Sequence, residues 1–304
     1  MSRRIVVILN AGSGGGNGSA TVQALHRHFA AVGIEPTVHQ ARGGEELRAH
    51  IDSAIAARPD VIVAGGGDGT VSAVAGALVD SDIALGVLPL GTLNHFAKDL
   101  GVPPDLDAAV RQIVTGEVRR IDVGEVNGRI FINNSSLGLY PEIVHRREQQ
   151  QRRLGRSKWA ALAWAALAVL RRYSFLRVRL VVDGQERLRR TPFVFIGNNE
   201  YQMEGFSIGE RHGLVDGLLS LYVAQRAGRL RLLQLALRAL FGRLRQARDF
   251  DVAKALEIQI ESRHRQLRVS ADGEVVVMSP PLRYRIRPAS LSVVVAASPS
   301  RHAD

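Results

Sequence analysis

Three times within the first hundred residues an aliphatic run meets glycine and then a helix-forming stretch. Ile5–Leu9 leads into NAGSGGGNG, Val61–Ala64 into GGGDGT, and Ala84–Leu88 into PLGTLN. Short apolar runs that alternate with helical stretches read as strands of a parallel sheet covered by helices. The pattern places helices near 19–32, 45–57, 71–79 and 94–100, and a further strand near 36–39. The expected fold of this part is a doubly wound α/β domain. In an open sheet of that kind the loops leaving the carboxyl ends of the strands are where ligands bind.

After Asp122 the grammar changes. VGEVNGRIFIN carries Asn127-Gly128 between two strands, VRLVVDGQERLRR carries Asp183-Gly184, and LRVSADGEVVV carries Asp272-Gly273. Each dipeptide suits a two-residue hairpin turn in which both central residues need positive φ. Hairpins without intervening helices give an antiparallel second domain, a β-sandwich, interrupted by helical insertions near 155–172 and 228–246. The expected division is an α/β domain over 1–122, a β-sandwich over 123–283, and a segment 284–304 that can pack back on the first. The last strand, near 290–296, can belong to either.

The glycine loops fit none of the common phosphate patterns. No lysine follows glycine, so a P-loop is excluded, and the third glycine of GxGxxG is replaced by Asn17 or Thr70. HExxH is absent. The physics still favours an anion. Glycine lets backbone N–H groups approach a phosphate, and a helix N-terminus adds partial positive charge. Tight strand-to-helix turns alone would also use glycine. Asp68, inside the second loop, would repel phosphate unless a cation lies between; Mg²⁺ takes one or two carboxylates together with phosphate oxygens. An Asp at a helix start can equally cap it. The third loop adds Gly91, the hydroxyl of Thr92 and the amide of Asn94.

The formal charge is +11, and of 40 basic residues only Lys98, Lys158 and Lys254 are lysines. Such a balance suits phosphate-bearing partners. Nucleic acid is disfavoured, because aromatic residues make up only 5% and do not interleave with the basic ones. There is no cysteine, which excludes disulfides and thiolate metal sites and fits a reducing compartment. The first residues read as a strand, not a signal peptide. The apolar run 159–170 is shorter than the ~20 residues that span a bilayer.

Four segments in order, GGDGT at 66–70, PLGTLNHFA at 89–97, IDVG at 121–124 and DGE at 272–274, resemble the bacterial diacylglycerol kinase-like lipid kinases. That family is related to sphingosine kinases and more distantly to NAD kinases. The likeness runs from Ile5 to about Val295. It implies an ATP-binding α/β domain, a β-sandwich domain and catalysis in the cleft between them. By motif position Gly66, Gly67, Asp68, Gly69, Thr70, Gly91, Thr92 and Asn94 would hold ATP, with Asn10, Gly12, Ser13 and Gly14 as a further phosphate loop. Glu274 would accept the proton of the attacking hydroxyl, Asp68 would organise Mg²⁺, and Asp272 would orient the site or simply make the turn. Asp122 would tune the site or join a salt network with Arg119 and Arg120. Asp216, with main-chain oxygens of Gly213 and Leu218, matches a structural metal site of the family. Where the family carries Asp after Asn94, this chain has His95, and an imidazole cannot supply the charge of a carboxylate.

The resemblance implies a phosphotransferase that uses ATP and Mg²⁺ on a hydroxyl of diacylglycerol or a related membrane lipid. The expected setting is cytoplasmic, with peripheral contact to an anionic membrane and room for a homodimer. The basic, leucine-rich stretch 228–248 suits a membrane surface or a packed helix. Trp159 and Trp164 suit an interface, an acyl pocket or a core. A soluble-substrate kinase of the NAD-kinase type and a nucleotide-binding regulator without turnover are the alternatives.

Overall fold

The computed structural model describes residues 3–11, 18–138, 175–202, 210–211, 213–224 and 250–297. Contacts divide the chain into one unit of Met1–Asp122 with Pro288–Asp304 and another of Val123–Arg287. The boundaries fall inside two long strands, β5 (Glu117–Val126) and β18 (Leu282–Val295).

In the first unit β1 (Ile5–Asn10), β2 (Thr37–Ala41), β3 (Val61–Gly66) and β4 (Ala84–Pro89) form a parallel sheet in the order β2-β1-β3-β4. Every residue of β3 is buried, as expected of a central parallel strand covered on both faces. The connections are α1 (Gly18–Ala31), α2 (Gly44–Ala56), α3 (Asp68–Leu78), α4 (His95–Asp99) and α5 (Leu106–Thr115). The periodicity reading did not include α5. Its start is an ordinary cap, with the Asp105 carboxylate accepting from Ala108 N at 2.9 Å, and Ala109, Val110 and Ile113 enter the core. Past Pro288 the last strand joins this unit. Val293 pairs in parallel with Leu85, and Val294 packs in the same core as Val7 and Val63.

The second unit is built from the hairpins that the Xaa-Gly turns announce. In β5–β6 (Arg129–Phe131), Val126 faces Arg129 across Asn127-Gly128, at φ 46° and 84°. β7 (Asn134–Gly138) follows. In β8 (Leu176–Val182) and β9 (Gln185–Thr191), Val182 faces Gln185 across Asp183-Gly184, at φ 43° and 83°. Next come β10 (Phe193–Asn198), the short ladder of β11 (Tyr201–Gln202) and β12 (Glu210–Arg211), β13 (Leu219–Ala224), β14 (Phe250–Ala255) and β15 (Glu257–Ser262). In β16 (Leu267–Ala271) and β17 (Glu274–Met278), Ala271 faces Glu274 across Asp272-Gly273, at φ 48° and 86°.

One antiparallel sheet of this unit runs β14-β13-β10-β7-β16-β17; in the other, β15 lies between β18 and β8, with β9 at the edge. Alternation supplies the core. Val178, Leu180 and Val182 are buried while Arg177 and Arg179 point away. Leu137, Ile196, Leu221 and Val269 from the first sheet meet Leu180, Ile260 and Tyr284 from the second, which makes a sandwich.

One buried charge ties β5 to β18 within this unit. Glu125 accepts from Arg285 at 2.9 Å and from Arg287 at 3.0 Å. Burial pushes its carboxyl up, but the two guanidinium groups outweigh burial and hold it below the ordinary carboxylate range. A lowered folded-state value gives stability that is present at neutral pH and lost as pH falls through that value. Glu125→Gln is expected to lower the melting temperature by roughly 2–4 °C at pH 7. The gap to wild type should close on acidification below the usual carboxylate range. A pH-independent gap would remove the ion pair as its cause.

Candidate active site

The end of β1 and the loops after β3 and β4 meet in the first unit. Asn10, the last residue of β1, donates from Nδ2 to the hydroxyl of Thr70 at 3.2 Å. The second and third loops touch backbone to backbone: a Cβ added at Gly91 would lie 2.5 Å from the Gly67 Cα. Asp68 opens α3, and its Oδ1 accepts from Phe96 N at 3.4 Å, a long bond that reaches α4.

The three consecutive glycines of the second loop do different jobs. A Cβ at Gly65 would collide with the Leu9 side chain at 2.3 Å, so that glycine lets strands pack. At Gly66 it would strike the Thr70 side chain at 2.6 Å, so that glycine makes room for the hydroxyl that Asn10 holds. At Gly67, among the described residues, it would meet only the Gly91 Cα at 3.9 Å. Gly67, at the N-cap of α3, is therefore the open member, where an anion can approach backbone N–H groups.

Two side chains expected on ATP are engaged with protein. Asn94 sits at φ 51°, ψ 45°, a left-handed conformation that Asn tolerates. Its Oδ1 accepts from Gly91 N at 2.9 Å, and its Nδ2 donates to Pro89 O at 3.1 Å and to Gly91 O at 2.9 Å. Asn94 thus shapes the third loop. Thr70 is buried against Asn10, whereas Thr92 is exposed. His95 is the exposed first residue of α4. Gly12, Ser13 and Gly14 lie outside the described residues, as do 155–172, 228–248, Trp159 and Trp164.

In the second unit the Asp272-Gly273-Glu274 turn divides its labour. The Asp272 carboxylate accepts from Ile132 N at 2.8 Å, Asn133 N at 2.8 Å and Asn134 N at 3.1 Å. It anchors the turn to the β6–β7 connection and positions the residue that follows. Asn198 and Arg211 complete the anchor, donating to Ile132 O at 2.9 Å and 2.7 Å. Glu274 begins β17, exposed, and accepts from the Arg129 guanidinium through Oε2. Sequence reasoning missed Arg129, Asn198 and Arg211. Their partners lie across the fold, and no local spacing marks them.

The remaining carboxylates are distinct. Asp122, in the first unit, is buried and accepts from Ala289 N at 2.9 Å. The nearby Arg119 pairs with Glu117 at 2.7 Å and Arg120 with Asp82 at 3.5 Å. In the second unit Asp216 folds over Gly213, where an added Cβ would lie 2.8 Å from its Oδ1. Its Oδ2 accepts from Glu200 N at 3.5 Å, and the Leu218 carbonyl accepts from Asn199 N at 3.0 Å. Among the described residues no three His, Cys, Asp or Glu side chains gather as a metal cluster. The hard oxygens fit Mg²⁺ all the same. Asp68 supplies one carboxylate beside the open loop, and Asp216 another beside the Gly213 backbone. Among those residues, too, no helix is long and apolar enough to cross a membrane.

Residues 4–126 match the diacylglycerol kinase catalytic domain, and residues 140–295 match the YegS C-terminal NAD kinase beta sandwich-like domain. A Bacillus subtilis protein named diacylglycerol kinase is 27% identical over 284 residues, covering 91% of this chain and 92% of its own length. A Mycobacterium tuberculosis protein of the same name is 28% identical over 304 residues, covering 97% and 93%. The crystal structure of a diacylglycerol kinase from Bacillus anthracis has a TM-score of 0.70 at 20% identity and covers 97% of each chain, a likeness of fold. With both domains matched and relatives aligned along nearly its full length, the chain belongs to the diacylglycerol kinase-like lipid kinases, a family of phosphotransferases.

Proposed function

We propose that this protein is an ATP-dependent lipid kinase that phosphorylates a hydroxyl of diacylglycerol or a close relative in an anionic membrane. The observation that carries the reading is the junction of the loops after β3 and β4 at Gly67, a glycine whose Cβ position is open among the described residues, with Asn10 reaching Thr70 beside it. Gly66–Thr70, Gly91–Asn94 and the loop after Asn10 hold the triphosphate, Gly67 and the start of α3 through backbone N–H groups. Mg²⁺, when bound, neutralises phosphate charge, and Asp68 is the residue that holds it. Glu274 takes the proton of the lipid hydroxyl as its oxygen bonds to the γ-phosphorus and the bond to ADP breaks. Asp272 positions Glu274 through the three backbone N–H groups that it accepts. The names of the curated relatives support diacylglycerol as the acceptor class.

The test is incubation with γ-labelled ATP, Mg²⁺ and diacylglycerol dispersed in detergent micelles. Label in phosphatidic acid is expected. ATP binding without labelled lipid would favour a silent nucleotide-binding regulator, and label in a soluble acceptor would favour the NAD-kinase type. Whether the chain forms a homodimer is read from the particle mass in the same buffer.

Asp216 belongs to this reading as the holder of a structural cation, with main-chain oxygens of Gly213 and Leu218. Asp216→Asn is expected to lower the melting temperature by a few degrees and to blunt the stabilisation that added Mg²⁺ brings. An unchanged melting temperature with an unchanged Mg²⁺ response makes Asp216 an ordinary turn residue.

A further inference from the structure

The outer face of β8, β9 and β15 carries a groove of about 860 Å³ that plays no part in the phosphate chemistry above. Among the described residues Arg177, Arg179, Arg189, Arg190 and Arg263 line it against one carboxylate, Glu261. Glu261 is already committed, at 2.7 Å from Arg179, and Glu186 lies 3.3 Å from the same guanidinium. Arg189 pairs with Asp251 at 3.3 Å. That leaves Arg177, Arg190 and Arg263 without a carboxylate within ion-pair distance among the described residues.

The strand register sets two of these charges side by side, with the third on the same groove. Arg177 of β8 directly faces Arg190 of β9. On the other side Val178 faces Ser262, where the β15 pairing ends, and Arg263 follows in the bend and lines the same groove as Arg177. Adjacent strands lie about 4.8 Å apart, and like charges directly opposite destabilise an antiparallel pair. Arg190 has local relief, its guanidinium lying over the Phe175 ring at 5.0 Å from its centre. Protection of an exposed sheet edge accounts for charge on β9. It does not call for one sign, nor for Arg177 on the next strand in.

The second row of the face is Glu261, Arg179 and Leu188, and Leu188 is 79% exposed. A leucine held out among arginines is the chemistry of a bilayer interface, with the cations at the headgroups and the apolar side chain below them. We propose that the β8–β9–β15 face docks this protein on an anionic lipid bilayer, with Arg177, Arg190 and Arg263 on lipid phosphates and Leu188 inserted between them. The inference deepens the lipid-kinase reading and rests on it for the presence of a membrane; the docking itself needs no turnover.

The experiment measures flotation of the full chain with phosphatidylglycerol-rich and with pure phosphatidylcholine vesicles, without ATP, alongside the micellar kinase assay. Wild type should float with the anionic vesicles only, less so as salt rises. Loss of a basic residue near an anionic surface weakens binding roughly fivefold, so the combined Arg177→Gln, Arg190→Gln and Arg263→Gln variant should bind about 100-fold more weakly. Its melting temperature and micellar activity should stay near wild type. The matching triple lysine variant should bind like wild type, and Leu188→Gln should bind more weakly at every salt concentration. Wild-type binding by the triple glutamine variant overturns the proposal, as does failure of wild type to float. Preferential capture of a short DNA duplex by the same arginines overturns it too. Vesicle docking without lipid phosphorylation would sink the kinase reading and leave the docking face; micellar phosphorylation without docking would do the reverse.

Discussion

Glu274→Gln is expected to lower lipid phosphorylation by about 10²- to 10⁴-fold, the usual cost of losing a positioned general base. The substitution keeps the size of the side chain and an oxygen able to accept from Arg129, so the fold has little to lose. The pair is exposed, and exposed ion pairs contribute about 0–1 kcal/mol. Nucleotide affinity should therefore stay near wild type and the melting temperature should barely move, while turnover collapses. The split matters more than the size of the loss. A variant that binds ATP normally and unfolds normally but does not phosphorylate has lost a proton acceptor; one that loses all three has lost its turn. Asp272→Asn supplies the comparison. It weakens the acceptor for the N–H groups of Ile132, Asn133 and Asn134, so it should lower stability and activity together. Wild-type turnover by Glu274→Gln would remove the residue from the mechanism.

What the sequence made legible follows the range of the interactions. The hairpins at Asn127-Gly128, Asp183-Gly184 and Asp272-Gly273 are local: two successive positive φ values admit few residue pairs, and the dipeptide announces the turn. The parallel strands were legible because burial on both faces leaves a continuous apolar run. The α5 signal, Asp105 ahead of Ala109, Val110 and Ile113, was equally local and lay unused. The pairing of Arg129 with Glu274 spans 145 residues and depends on how strands come together, so no spacing announces it. Polar residues inside loops were the harder case. A motif shows that Asn94 and Asp272 are needed, not whether each side chain faces a ligand or the backbone, and in the fold both face backbone. Gly65, Gly66 and Gly67 look alike in the sequence; only their neighbours in space separate packing, side-chain room and open cradle.

That separation gives the second large effect, a contrast between Gly91→Ala and Gly67→Ala. At Gly91 the new methyl would lie 2.5 Å from the Gly67 Cα, 2.8 Å from Asn94 Oδ1 and 3.2 Å from Gly67 N. Two of these are backbone atoms at the head of α3 and cannot swing aside as a side-chain tip would. The third is the oxygen that holds the loop closed through Gly91 N. Relief requires the second and third loops to part. Overpacking of this kind costs about 1–3 kcal/mol, and a shift near 1 Å at a reacting centre can cost on the order of 10²-fold in rate. Gly91→Ala should therefore lower the melting temperature and also weaken ATP binding and turnover. At Gly67 the methyl meets nothing closer than 3.9 Å among the described residues, so the empty protein should accept it and melt near wild type. The methyl would then stand where the proposed phosphate approaches, so Gly67→Ala should lose ATP affinity by at least tenfold with its stability intact. Calorimetric titration with ATP beside thermal melts of both variants reads the two quantities separately. Normal ATP binding by Gly67→Ala would mean that the open glycine is not the phosphate cradle, and the nucleotide would have to be sought elsewhere on the sheet.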